Sequence, residues 1–219
     1  MAHQLKVLPP KIPEDLRPIK LADEMKDERF FHMGSIIDSE VSDACIEKIC
    51  FDKVIFKNVS FQNVSFPFIE LTDVVFDHCD LSNVDFSNAI IHRVEMKECK
   101  MLGINLSEST LRNVVFDQCF ADYASFGYSN EKQIEFQACS LRNADFFESK
   151  FKKLTFDQCN LDRANFSGVT LKGIDLSNCS FEGLVVSLEE LEGCIVSQEQ
   201  AVGFARLLGL VVKEPGLDE

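Results

Sequence analysis

An apolar residue returns at every fifth position of this chain over most of its length, and that spacing restricts the fold more than any other feature. Counting from Ile36 to Val196, 31 of 33 such centre positions hold Phe, Leu, Ile, Met or Val, the exceptions being Ala121 and Glu131. Of the 20 phenylalanines, 14 fall on this one class between Phe51 and Phe181. A helix turns every 3.6 residues and a strand alternates every two, so neither produces a period of five. Two residues before each centre lies a second apolar class of small or β-branched residues: Val54, Val59, Val64, Ile69, Val74, Cys79, Val84 and onward to Cys194. The other three positions of each five are mostly Asp, Asn, Ser, Lys, Gln, Glu, Arg and Gly. Each unit therefore reads as two residues in and three out.

The cysteines give the number of units per turn. Cys79, Cys99, Cys119, Cys139, Cys159 and Cys179 recur at intervals of 20, as do Ser109, Ser129 and Ser149, and on another side Ala124, Ala144 and Ala164. Four pentapeptides close one coil. The expected fold is all-β, a right-handed quadrilateral β-helix of stacked coils with a C-terminal α-helix. At an interstrand spacing of about 4.8 Å, residues 41–196 make a rod of about 38 Å.

A stack of coils gains its stability from neighbours, so its ends need covers. Residues 1–35, with Pro9, Pro10, Pro13 and Pro18, read as an N-terminal cap, 36–196 as the β-helix and 197–219 as a helix and tail. Ser197-Gln-Glu-Gln200 is a capping box. Ala201, Phe204, Ala205, Leu208 and Val211 follow helical spacing, and Gly209 is the expected stop. Phe204, Leu207, Leu208, Leu210 and Val211 supply either a two-fold dimer contact or a cover for the last coil.

Chemistry-bearing constellations are sparse. No C-x-x-C occurs among the nine cysteines, and the 20-residue column places six of them inward as thiol fillers. His3, His32, His78 and His92 have no cysteine or carboxylate at ligand spacing, and the outward His78 and His92 read as solvated surface. Gly103, Gly168, Gly173 and Gly183 fall at outward corners, not in a phosphate-binding loop. The expectation is a binding protein and not an enzyme, with no catalytic residues, metal or cofactor. Residues 1–10 lack the apolar run of a signal peptide and no stretch reaches membrane-spanning length, so a cytoplasmic protein without membrane contact is expected.

Ala144-Asp-Phe146, Ala164-Asn-Phe166 and Val84-Asp-Phe86 follow the pattern A(D/N)LXX, and on these residues the chain resembles the pentapeptide repeat family. A narrower resemblance, to the Qnr-type quinolone-resistance proteins of Gram-positive chromosomes, rests on Ala121-Asp-Tyr-Ala-Ser-Phe126, Ala144-Asp-Phe-Phe-Glu148, Leu171-Lys-Gly-Ile-Asp175, and Val196–Ala201 running into Leu207–Val211. It implies a dimeric, acidic, DNA-like rod that partners DNA gyrase and topoisomerase IV and protects them from quinolones. The plasmid-borne relatives carry loops projecting from the rod, whereas the register here is unbroken from 36 to 196. Ser129–Gln133 is the best site for a bulge. Its Glu131 stands on a centre position, and the cost of burying a carboxylate predicts that this corner turns outward.

Charge can be sorted by side from residue number alone. The side centred on Phe76, Met96, Phe116, Phe136, Phe156 and Leu176 displays Asp77, Glu95, Glu98, Asp117, Glu135, Asp157 and Asp175, opposed by Lys97; this is the candidate partner-binding face. The side centred on Leu71, Ile91, Leu111, Glu131, Phe151 and Leu171 displays Arg93, Arg112, Lys132, Lys150, Lys152, Lys153 and Lys172. A third stretch, Asn58 to His92, carries Glu70, Asp73, Asp77, Asp80 and Asp85 without lysine or arginine. The formal charge of −14 disfavours nucleic acid as a direct partner. Duplex DNA carries a charge every 1.7 Å or so, about three per 4.8 Å coil, more than twice the net charge this rod holds. Mimicry of DNA is then partial, resting on shape and one acidic side. The alternative is a structural interaction rod that docks a non-topoisomerase partner through its basic side or C-terminal helix.

Overall fold

The structure, a computed structural model, describes residues 6–207 and 209–213. Its strands are β1 (Arg17–Pro18), β2 (Phe30–Cys45), β3 (Cys50–Ser65), β4 (Glu70–Asp77), β5 (Ile90–Lys97), β6 (Thr110–Asp117), β7 (Asn130–Gln137) and β8 (Lys150–Asp157). All pair in parallel and in chain order. From β2 onward every Cα partner lies 20 residues away, as in Phe51↔Leu71, Phe76↔Met96 and Phe116↔Phe136. The chain is a right-handed β-solenoid of four-sided coils, and the pairing begins at Phe30, ahead of the position from which the five-residue period was counted.

The four sides are built in two ways. The sides centred on residues such as Leu71 and Phe76 are extended and carry the long ladders. The sides centred on Leu81 and Phe86 are joined between coils by isolated bridges, such as Asp80↔Lys100 and Asp85↔Asn105. There the centre carbonyl accepts a hydrogen bond from the N–H three residues on, as in Val84 to Leu81 (3.2 Å), Ala124 to Ala121 (3.2 Å) and Ser129 to Phe126 (3.1 Å). Every fifth residue from Met33 to Gly173 has a positive φ, including Asp73 (54°), His78 (55°), Asn83 (57°) and Gly103 (65°). A turn whose third residue is left-handed has type II character, and Asn and Asp tolerate that conformation better than most. The repeat thus turns most of its corners on polar residues or glycine, with Met33, Phe68 and Ala138 among the exceptions.

Inside, identical classes stack. Phe116 on Phe136 and Phe126 on Phe146 lie nearly parallel at 4.6 and 4.9 Å, and Phe126 meets Phe136 edge-on at 5.6 Å. Such pairs add about 0.5–1.5 kcal/mol each to the gain from burial. The cysteine column is buried and reduced, and its thiols donate to backbone carbonyls 23 residues earlier, as Cys119 does to Met96 at 3.3 Å. In the separate serine column, Ser149 makes the corresponding bond to the Phe126 carbonyl at 2.6 Å, which is how a hydroxyl is accepted at an inward position.

Glu131 does not turn outward. It pairs in β7 with Leu111 and Phe151, is 1% exposed, and points into the core. Ser129 Oγ donates to its Oε1 at 2.7 Å, while Oε2 has no protein partner. Burial pushes the carboxyl pKa up to about 8, against the pull of the Ser129 bond. Continuity of the ladder holds the backbone in register, and the side chain avoids the cost of a buried charge by keeping its proton.

The N-terminal segment does more than cover an end. β1 pairs with Gly34 and Ser35 of the first coil, and the bare Cα of Gly34 leaves room for the Ile19 side chain, which a Cβ would displace. Residues 6–11 lie as a strap along the corner between the basic and acidic sides. Lys11 N–H donates to Asp73 (2.9 Å), Leu8 N–H donates to Asn113 (3.2 Å), and Gln133 Nε2 donates to the Lys6 carbonyl (3.5 Å). Val7, Asp73 and Asn113 are buried beneath it.

At the other end, the C-terminal helix (Gln198–Leu207) opens with the expected reciprocal box. Ser197 N–H donates to Gln200 Oε1 at 2.8 Å and Gln200 N–H donates to Ser197 Oγ at 3.2 Å. Gln200 Nε2 also donates to the carbonyls of Leu176 (2.8 Å) and Cys179 (2.7 Å), and Phe204 packs on Phe181 at 5.6 Å. Gly209 takes φ +77° just past the helix.

Candidate partner-binding face

The expected acidic residues fall on one side in two columns and a corner. Glu95, Glu135 and Asp175 occupy one column, and Asp77, Asp117 and Asp157 the other, where they alternate with Lys57, Lys97 and Gln137. Glu98 stands at the adjoining corner, twenty residues after His78. The side is not uniformly anionic. In its N-terminal half, Lys57 reaches Asp77 at 3.3 Å, Lys97 reaches Glu95 at 3.0 Å, and His78 lies between Asp77 (2.5 Å) and Glu98 (3.1 Å). The Asp77 carboxylate, with Glu98 behind it, holds the His78 pKa above the ordinary histidine value. Lys57 and the carboxylate partners of His78 escaped the sequence reading, although stepping back or forward by 20 finds both.

The C-terminal half is different. Among the described residues no lysine or arginine lies within 4.0 Å of Asp117, Glu135, Asp157 or Asp175. Their partners are neutral donors: Gln137 on Glu135 at 3.0 Å, Asn178 on Asp157, and the Ser177 N–H and hydroxyl on Asp175 at 2.9 and 2.6 Å. Those Ser177 bonds hold Asp175 below the usual carboxylate range. Glu135, Asp157 and Asp175 line a recess of about 520 Å³ together with Gln137, Thr155 and Gly173. The usable anionic patch is therefore about three coils long, roughly a third of the rod.

The other acidic stretch is dispersed. Glu70, Asp73, Asp77, Asp80 and Asp85 are spread around one coil, not gathered on a side. Asp73 is buried under the strap, where burial opposes its ionisation but the Arg93 guanidinium at 2.5 Å and the Lys11 N–H hold its pKa down. His92 is half-buried beside Arg93, not solvated. Of the expected dimer contacts, Phe204 faces the rod, while Leu210 and Val211 are exposed beyond the helix end. Leu208 and the side chain of Leu207 lie outside the described residues. No helix among the described residues is long and apolar enough to cross a membrane.

Comparison with known proteins agrees with this geometry. Residues 69–146 match the model described as "Pentapeptide repeat region", and residues 139–178 match "Pentapeptide repeats (8 copies)". The chain is 42% identical over 210 residues to the uncharacterized protein YisX of Bacillus subtilis (strain 168), covering 96% of this chain and 99% of that one. Among solved structures it is similar to HetL of the cyanobacterium Nostoc sp. strain PCC 7120, a pentapeptide repeat protein involved in heterocyst differentiation regulation, with a TM-score of 0.53 at 17% identity over 83% of this chain and 93% of that one. Full-length QnrB1, a plasmid-mediated fluoroquinolone resistance protein, aligns with a TM-score of 0.46 at 17% identity, over 81% of this chain and all of that one. With repeat models over its middle, a full-length relative and coils that close every 20 residues, the chain belongs to the pentapeptide repeat family.

Proposed function

We propose that this protein is a cytoplasmic, non-enzymatic partial mimic of duplex DNA that binds DNA gyrase or topoisomerase IV and protects the enzyme from quinolones. One observation carries the reading: Asp117, Glu135, Asp157 and Asp175 repeat along one side of a straight rod without a lysine or arginine in reach among the described residues. A saddle built to hold a DNA backbone offers lysines and arginines, and carboxylates held at coil spacing on a rigid support can substitute for part of that backbone. The Qnr-like segments Ala121–Phe126 and Leu171–Asp175 support the choice of enzyme.

The test is charge reversal. D117K, E135K and D157K together are expected to weaken gyrase binding at least about tenfold, to abolish rescue of supercoiling in the presence of ciprofloxacin, and to leave the circular dichroism of the rod unchanged. Binding of the native protein should also fall as salt rises. A triple variant that binds gyrase as well as the native rod defeats the acidic-side mechanism.

A further inference from the structure

A second charged surface runs along the rod a quarter-turn from the first. The ladder registers Arg112 on Lys132 and Lys132 on Lys152, with Lys172 twenty residues further on. Lys150 and Lys153 flank this file within β8. Like charges stacked directly opposite one another in a sheet are destabilising. Elsewhere the rod answers its cations: Lys53 has Asp52, Lys57 has Asp77, Arg93 has Asp73, Lys97 has Glu95, and Arg142 has Asp122. Among the described residues, Arg112, Lys132, Lys150, Lys152 and Lys153 have no carboxylate within 4.0 Å, and Lys172 reaches Glu192 at 3.7 Å, both side chains being exposed.

The N-terminal strap adds to the same surface. It seats Lys11 beside Asp73 and the Lys6 backbone beside Gln133, along the corner that separates the basic side from the acidic one. His92, at the head of the same column as Arg112, is held below the ordinary histidine pKa by burial and then by the positive charges of Arg93 and Arg112. From Arg112 to Lys153 the strip is therefore a region of uncompensated positive field on a chain whose formal charge is −14, and Lys172, paired with Glu192, closes its end.

We propose that this strip, from Arg112 through Lys132 and Lys152 to Lys172, docks an acidic, extended segment of a partner protein. Three coil steps span about 14 Å, the length of four or five extended residues, so such a segment fits wholly within the strip. Lysine stems are flexible point charges and tolerate irregular carboxylate spacing. A duplex broad enough to use the same cations carries phosphates beyond the corner, toward Asp117, Glu135 and Asp157, where they are repelled. Gyrase does not enter this inference, and its test alters no residue of the acidic side.

The probe is a fluorescent octaglutamate peptide, with a fluorescent oligothymidylate of equal length run in parallel, each followed by anisotropy in about 50 mM salt. Octaglutamate is expected to bind the full chain, to be displaced by added salt, and to bind K132E/K152E at least about tenfold more weakly. K132Q/K152Q should give an intermediate loss, and both variants should retain the native circular dichroism. Absence of octaglutamate binding, or equal binding to K132E/K152E, overturns the proposal. Tighter binding of oligothymidylate that is lost in K132E/K152E overturns the assignment to a protein partner.

Discussion

A single misfit side chain gives the sharpest account of how this rod tolerates error. Every centre position but Ala121 and Glu131 is a larger hydrophobe, and the carboxyl of Glu131 is folded inward as a neutral acid beside Ser129. Its pKa stands near 8 in the fold, pushed up by burial, and near 4.3 in the unfolded chain. Between those values the folded state holds a proton that the unfolded state has released. This contribution to stability is fully present at low pH, declines by about 1.4 kcal/mol per pH unit, and is lost once the folded carboxyl ionises. Urea titrations at pH 5, 6.5 and 8 should therefore show stability falling with pH in the native chain and a flatter profile in Glu131→Gln. Glu131→Leu, which restores an ordinary centre residue, should be the most stable of the three at pH 8. A slope unchanged in Glu131→Gln would remove Glu131 as its source. The residue stood out in the sequence as a break in the period, but the direction of its side chain did not. Outward rotation and protonation both avoid a buried charge, and only the packed ladder chooses between them.

Elements were legible where one residue pattern had one physical reading. The capping box at Ser197 and Gln200 and the stop at Gly209 were predictable because each satisfies backbone groups that a helix end leaves unpaired. The strap was not, since its bonds reach from Leu8 to Asn113 and from Lys6 to Gln133, and no local pattern encodes contacts so distant. Of the two roles weighed for the C-terminal residues, the cover for the last coil is the one the described side chains show. Gln200 and Phe204 hold the helix on the last coil, and Leu210 and Val211 face outward. If those two residues join a second copy, L210E/V211E should halve the particle mass in light scattering while preserving thermal stability. Gln200→Ala instead strips hydrogen bonds from the rod end and should lower stability by about 1–2 kcal/mol without changing the mass. An L210E/V211E variant with unaltered mass would place any dimer contact elsewhere.

At the scale of the whole molecule, the coil length is what turns a sequence interval into a surface. Removing Phe146–Asn165, one complete coil, rejoins Asp145 to Phe166 and keeps every column aligned, so the shortened rod should fold, with a lower melting temperature, and keep its remaining acids on one side. Removing only Phe146–Lys150 keeps residues in and out in phase but rotates all that follows by a quarter-turn. That variant should retain β-sheet circular dichroism and lose gyrase affinity, because Asp157 and Asp175 swing away from Asp117 and Glu135. Equal affinity in both deletions would mean that the alignment of the acids is irrelevant. The charge columns themselves were readable before any coordinates, since a side is fixed by position within 20 residues. Their neutralisation was not, because whether Lys57 or His78 reaches Asp77 depends on side-chain reach across the coils.

The seat of the strap also imposes an order on biosynthesis. Leu8 bonds to a residue 105 positions later and Lys6 to one 127 positions later. Residues 6–11 must therefore wait, unseated, until Asn113 and Gln133 have been translated and wound. Each coil can close on the one before it as it is made, but the strap is fastened only after the coils it lies across.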